Sequence, residues 1–218
     1  MRRKLTDKLQ FIYMKEVRKM DYEAIAEAML GRIFVPLEAS GRHVHVTKEQ
    51  AVTLFGHGLT PERPLSQPGQ FLAKERVSVI GPKGDLRNVA VLGPERKEAQ
   101  VEISLTDERS LGVQAPVRLS GDVKDSPGCT LVGPNGRVEL DRGIIAAQRH
   151  IHLTPEDGKR FGVADKQVVK LQTFTDRPVV FEDVVVRISP DFAAAVHLDY
   201  DEANACGFKK GDLGRILP

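Results

Sequence analysis

The sequence predicts a mainly β protein with short helices: two tandem, internally repeated β-barrel domains behind an N-terminal amphipathic helical extension. Three observations carry this expectation. The motif R-H-[VI]-H-[VL]-T occurs twice, as Arg42-His43-Val44-His45-Val46-Thr47 and as Arg149-His150-Ile151-His152-Leu153-Thr154. Each copy alternates His with a β-branched or aliphatic residue, the period-two pattern of a strand. From residue 33 onward, short apolar runs alternate with Gly/Pro turns at close spacing, which favours barrels or sandwiches over a doubly wound sheet. The expected domains are 1–32, a helical extension with a targeting or docking role; 33–115, the first barrel; and 116–218, the second.

The extension differs in texture from the rest. Leu5, Leu9, Ile12, Tyr13 and Val17 recur at helical spacing among many Lys and Arg residues. Such a basic amphipathic helix can dock on a partner, lie on a membrane surface, pack on its own body or meet a second copy of the chain. A second short helical run over 22–29 is expected to stop at Gly31.

Each His motif is followed by a helix start. Thr47 caps a helix with Gln50 three residues on, and Gly56 ends it. Thr154, with Pro155 at the first helical position, opens the equivalent helix, which closes at Gly162. Val77-Ser78-Val79-Ile80 and Val89-Ala90-Val91-Leu92 flank the turn Gly81-Pro82-Lys83-Gly84 as a hairpin. Cys129-Thr130-Leu131-Val132 and Val138-Glu139-Leu140 flank Gly133-Pro134-Asn135-Gly136 in the same way. These glycine turns lack the strand–loop–helix context and GK[ST] ending of a phosphate loop. A further repeat, offset by 95 residues, relates Val101-Glu102-Ile103 to Val196-His197-Leu198, each followed by a short helix ending in Gly.

Composition excludes several classes. The net charge of +2 gives no global field for nucleic acid. No apolar run approaches the roughly 18 residues of a membrane span. Two cysteines, Cys129 and Cys206, make no disulfide framework, which suits a reducing interior. There is neither a Gly-x-Ser-x-Gly element nor a Cys–His pairing to supply a covalent nucleophile.

The chemistry therefore falls to metals. On a strand, residues two apart share a face, so each motif presents two imidazoles together. Four of the six histidines sit in these motifs. With Glu102 and His197 at equivalent places in the second repeat, the candidate ligands are His43, His45, Glu102, His150, His152 and His197. A catalytic zinc takes three protein ligands and leaves one position open, so six candidates suit two zinc ions per chain. The partition between ions is open at this level, and manganese, iron or cobalt also accept such donors. Arg96, after the Gly93-Pro94 turn, offers a planar fork matched to phosphate or carboxylate.

The doubled motif, Leu65-Ser66-Gln67-Pro68-Gly69-Gln70-Phe71, Val101-Glu102-Ile103-Ser104 and Val196-His197-Leu198-Asp199 together resemble the PduL-type phosphotransacylases, or phosphate propanoyltransferases. The similarity runs in order over about residues 33–213. The resemblance implies a two-barrel, two-zinc enzyme of bacterial microcompartments or cytoplasm. It implies interconversion of propanoyl-CoA or acetyl-CoA plus phosphate with acyl phosphate plus CoA. It also implies that the six candidates are metal ligands, that Arg96 is the catalytic phosphate contact, and that the N-terminal helix directs the enzyme to shell or core proteins. Two readings stay open beside it: a metal-dependent hydrolase of esters or phosphoesters, and a non-catalytic, metal-stapled microcompartment component.

Overall fold

The computed structural model describes residues 22–217 and contains two compact units. In the first, α1 (Tyr22–Ile33) continues through Gly31 instead of ending there, and the Phe34 N–H still bonds the Leu30 carbonyl at 2.8 Å. A single glycine costs a helix about 1 kcal/mol and does not by itself stop one. The amphipathic pattern at 2–20 lies outside the described residues.

The second unit, residues 35–218, carries two sheets. Strand β1 (Val35–Ser40) leads through Gly41 and Arg42 to β2 (His43–His45), followed by α2 (Lys48–Phe55). Then come β3 (Pro61–Pro64), β4 (Phe71–Ile80), β5 (Asp85–Gly93), β6 (Gln100–Ile103) and α3 (Leu105–Leu111). Next are β7 (Val117–Arg118), β8 (Cys129–Val132), β9 (Arg137–Leu140) and β10 (Ile144–Ala147). The chain ends with β11 (His150–Leu153), α4 (Pro155–Phe161), β12 (Val168–Phe174), β13 (Val180–Ile188), β14 (Ala195–Asp199), α5 (Tyr200–Cys206) and β15 (Leu213–Leu217).

Six strands close a barrel in the order β1-β14-β11-β13-β12-β15. The other nine form a sheet ordered β7-β10-β6-β2-β5-β4-β8-β9, with β3 paired to β4. That sheet remains open, with β7 and β9 at the ends of its path, so the described residues hold one closed barrel where two were expected. Each sheet has its own core. Val44, Leu54, Val91, Val101, Leu131 and Ile144 are completely buried in the open sheet, and Val35, Ile151, Leu153, Leu171, Val186 and Val196 are nearly or completely so in the barrel.

The expected boundary at 115/116 does not separate the sheets. β1 precedes it yet closes the barrel, pairing parallel with β14 and antiparallel with β15. β7 to β10 follow it yet belong to the open sheet, where β8 pairs with β4 and β10 with β6. The chain thus starts in the barrel, builds the open sheet from residue 43 to 147, and returns at His150. Strand periodicity tells which residues face a core. It does not tell which strand lies alongside, and the parallel pairings here join segments far apart in sequence.

Local expectations hold closely. Thr47 with Gln50, and Thr154 with Asp157, form reciprocal capping boxes, and Gly56 and Gly162 end their helices in the left-handed region. Both glycine-rich turns are hairpin turns, and each docks on a helix end. Lys83 N–H bonds the carbonyl of Leu111, the last residue of α3, and Asn135 N–H bonds the carbonyl of Leu54 in the last turn of α2, each at 3.0 Å. A Cβ on Gly81 or Gly133 would lie 2.4 Å from those same carbonyl oxygens, so the close approach requires glycine there.

Candidate active site

The first cluster grows out of strand register. β2 lies between β5, parallel to it, and β6, antiparallel to it. Antiparallel pairing sets Glu102 directly opposite His43, and His45 follows two residues along on the same face. Val44, between them, points into the core. The His43 Nδ1 sits 2.8 Å from the Gly41 carbonyl and the His45 Nδ1 3.2 Å from the Leu92 carbonyl. A carbonyl only accepts, so each Nδ1 carries the proton and each Nε2 presents its lone pair.

Those lone pairs converge. The two Nε2 atoms are 3.2 Å apart, and Glu102 Oε2 is 3.5 Å from His43 Nε2. The ligand atoms of His43, His45 and Glu102 all lie within 4.8 Å of one another. Three acceptors meeting in a buried space repel unless a cation lies among them. In the metal-free chain that cation is a proton. Burial opposes charge on His43, but Glu102 outweighs it and raises the His43 pKa. His45 is lowered well below the ordinary imidazole value by burial and then by His43. Burial works to raise Glu102 as well, yet His43 overcomes it and holds the carboxyl well below the usual range. The Gln100 amide adds a hydrogen bond to Glu102 Oε1 at 2.5 Å. The donor set and the single cation position suit a divalent metal.

The second cluster has the same plan. β11 lies between parallel β13 and antiparallel β14, and the register sets His197 opposite His150. The His150 Nδ1 lies 2.7 Å from the Gln148 carbonyl, matching His43 on Gly41. The ring centroids of His150, His152 and His197 are 4.7, 4.8 and 5.1 Å apart, with His150 and His197 stacked at 8°. Burial, with help from neighbouring imidazoles and Arg187, lowers His150 and His197 to about 4 and His152 to about 2. All three are therefore neutral near pH 7. Both nitrogens of His152 and Nε2 of His197 are buried without a hydrogen-bond partner. Each such orphan costs about 1–3 kcal/mol, and a metal ion is one partner that neutral imidazole nitrogens accept. Among the described residues the ligand atoms converge most closely at His43, His45 and Glu102.

Both clusters line one cavity of about 490 Å³. Arg96 also lines it. Its Nη1 donates to Ser120 Oγ at 3.1 Å, and its backbone N–H is tied to the Val46 carbonyl at 2.9 Å. Ser120 Oγ also accepts from Gln100, the residue that bonds Glu102, so Arg96 joins the first cluster through a short hydrogen-bonded chain. Arg42, Arg63 and Arg76 line it too, and a further arginine of the lining, Arg187, stands opposite His152 in the β11–β13 register. Both guanidinium pKa values are lowered, first by burial, and Arg187 further lowers Arg96 while Glu102 opposes the change in each. Two half-buried guanidinium groups within electrostatic reach favour an anion between them.

A protein-family model described as "Phosphate propanoyltransferase" matches residues 36–209. The chain belongs to the phosphate propanoyltransferase family. It is 52% identical over 197 residues to a phosphate propanoyltransferase of Listeria monocytogenes, covering 89% of this chain and 92% of that protein. It is 55% identical over 183 residues to the enzyme so named in Enterococcus faecalis, covering 83% and 87% respectively. The corresponding figures for Thermotoga maritima are 52% over 181 residues, 82% and 86%.

The stretch shared with the phosphate propanoyltransferase family contains every residue singled out from sequence: His43, His45, Arg96, Glu102, His150, His152 and His197. The structure brings all seven to the same cavity. Sequence reasoning missed Arg187, Ser120, Gln100 and Phe192, which line or support it. Arg187 carried a readable signal, a charge inside the apolar run Val184-Val185-Val186-Arg187-Ile188, where a lone cation needs an anionic partner. Gln100 and Ser120 carried none, because they act through contacts between distant segments.

Proposed function

We propose that this chain is a phosphate acyltransferase, exchanging the CoA of propanoyl-CoA or acetyl-CoA for phosphate. The observation that carries the reading is the shared cavity: two clusters of candidate metal-ligating side chains line it together with arginines, Arg96 and Arg187 among them. His43, His45 and Glu102 would hold one zinc ion, and His150, His152 and His197 a second. When bound, zinc supplies a Lewis acid for the thioester carbonyl oxygen or the departing thiolate. The chain's own residues do the rest. Arg96 and Arg187 hold the phosphate, and their planar forks orient one of its oxygens toward the acyl carbon. Fixing phosphate and thioester together replaces a bimolecular encounter by a near-unimolecular one, which can supply about 7–11 kcal/mol of the barrier. The phosphate oxygen bonds to the acyl carbon, the carbon–sulfur bond breaks, and the sulfur leaves with its electron pair as CoA thiolate. Phosphate is already nucleophilic near neutral pH, so no general base is required of the cavity.

The arginines lining the cavity, Arg96 and Arg187 half-buried among them, favour phosphate over water as the attacking group, and hence acyl transfer over hydrolysis. We read the N-terminal segment as a docking element for microcompartment shell or core proteins, with the enzyme working in that lumen or in the cytoplasm. The two sheets, alike in their local register around the ligand strands, we read as copies of one ancestral domain whose strands have interleaved. Assay of CoA thiol release from propanoyl-CoA and acetyl-CoA, with and without phosphate, tests the reaction. Release that depends on phosphate, with acyl phosphate as the second product, is expected. Equal release without phosphate would make the protein a hydrolase.

A further inference from the structure

Strand Phe71–Ile80 of the open sheet is preceded by a loop whose shape the sequence dictates. Gln67-Pro68-Gly69-Gln70 is a β-turn: Gln70 N–H bonds the Gln67 carbonyl at 3.1 Å, Pro68 occupies the second position, and Gly69 has φ of +76° at the third. That is the residue order of a type II turn. Leu65 N–H to the Gln70 carbonyl, 3.0 Å, closes the loop. The loop projects Gln67, only 3% exposed, toward the barrel.

There the Gln67 amide pairs with both polar groups of one peptide residue. Its Nε2 donates to the Ala193 carbonyl at 3.0 Å, and its Oε1 accepts from the Ala193 N–H at 3.2 Å. Ala193 follows Phe192, whose ring stacks on His152 with centroids 4.1 Å apart and planes 27° apart. Since neither His152 nitrogen has a hydrogen-bond partner, ring contacts orient it, and the Phe192 stacking is closer than those with His150 and His197 at 4.7 and 4.8 Å. The neighbouring Ser66 reaches the same cluster by another route. Its hydroxyl donates to Glu38 Oε2 at 2.6 Å. Glu38 lies opposite His197 on β1, with the same oxygen 3.8 Å from His197 Nε2. Ser66 thus fixes the carboxylate that faces the His197 ring.

We infer that this loop of the open sheet completes the His150–His152–His197 centre of the barrel, with Gln67 as a positioning residue for His152 acting through Ala193 and Phe192. Ser66 has the corresponding role for His197 through Glu38. The centre then depends on both sheets, and its ion responds to events on the loop. The inference rests on the reading that these three histidines hold a metal.

The test titrates the full chain, loaded with Zn²⁺ or with Co²⁺, against a chromophoric chelator. His197→Ala and His43→Ala identify which released ion belongs to which centre, and Co²⁺ absorption separates the three-nitrogen from the two-nitrogen, one-oxygen donor set. Gln67→Ala is expected to weaken the barrel ion by about 10–100-fold and leave the other unchanged, the scale on which residues supporting a ligand act. Gln67→Glu, which keeps the acceptor and loses the donor, is expected to fall between, and it decides the matter if Gln67→Ala does not fold. Unchanged release of both ions, or equal weakening of both, overturns the inference. A wild-type chain with no ion assignable to His197 overturns the metal reading itself, a result distinct from an intact two-ion chain with an indifferent Gln67.

Discussion

At the scale of the residue, the cavity is a balance of charge. The six candidate ligands include one carboxylate, and of the arginines lining the cavity Arg96 and Arg187 have their pKa values lowered by burial. Arg96 is anchored at its backbone and through Ser120, so it is preorganised to receive an anion. Arg96→Ala should reduce phosphate-dependent turnover by roughly 100-fold or more, since it removes a binding group that also orients the attack. Arg96→Lys should recover part of this, because an ammonium restores the charge and not the bidentate geometry. Zinc content should be unchanged in both, since neither variant removes a ligand. Steady-state kinetics at varied phosphate, with elemental analysis of the same samples, checks the pair. Arg187→Gln should raise the KM for phosphate in the same assay.

At the scale of the element, one construction recurs four times. Each strand that carries a candidate ligand, β2, β6, β11 and β14, runs into a capped helix of seven or eight residues. The caps turn the chain away from the cavity immediately after the ligand and fix where the strand stops. Thr154 shows the economy of the device: its hydroxyl accepts from the Asp157 N–H and its own N–H donates to the Asp157 carboxylate, each at 3.1 Å. Thr154→Ala should destabilise the fold by about 1 kcal/mol, read as a shift of the urea unfolding midpoint without a change of slope. The arginine before each HxH pair fastens the same design. Arg42 pairs with Asp107 at 3.2 Å and Arg149 with Glu202 at 2.8 Å, each acid standing at the third position of the helix that follows the opposite ligand strand.

At the scale of the whole molecule, the buried imidazoles couple folding to pH. His150 and His197 have folded values of about 4 against about 6.5 unfolded. Between those values the unfolded chain binds more protons, so their contribution is fully present above pH 6.5 and is lost as pH falls toward 4. His45 and His152 are lowered as well and add in the same direction. His43, whose value is raised, acts oppositely, its contribution being lost as pH rises through the folded value. With four groups against one, the metal-free protein should lose stability between pH 6.5 and 4, seen as a falling unfolding temperature. Added Zn²⁺ should raise that temperature strongly at pH 7.5 and much less at pH 5, where protons compete for the ligands. Deleting residues 1–20 should leave turnover and zinc content intact, because the family match begins at residue 36 and the second unit at Val35. Loss of folding on deletion would place that segment in the core.

What the sequence determined by itself was local. Period-two alternation put His43 with His45, and His150 with His152, on common faces. Thr-initiated capping boxes, left-handed glycines and Gly-Pro hairpin turns marked the ends of elements, because each is decided within about four residues by hydrogen bonds and backbone sterics. The 95-residue offset linked Glu102 to His197, and the structure gives the reason as register: each lies opposite the first histidine of its pair. Only the tertiary structure decided the rest. It moved β1 into the barrel and β7 to β10 into the open sheet, left one sheet unclosed, and set Arg187 beside Arg96 in one cavity. It also joined Gln67 to Ala193 across 126 residues. Partner choice between strands follows from which apolar faces can be buried together and which backbone edges remain to be paired. Those conditions are met by the folded chain as a whole, and no short window of sequence contains them.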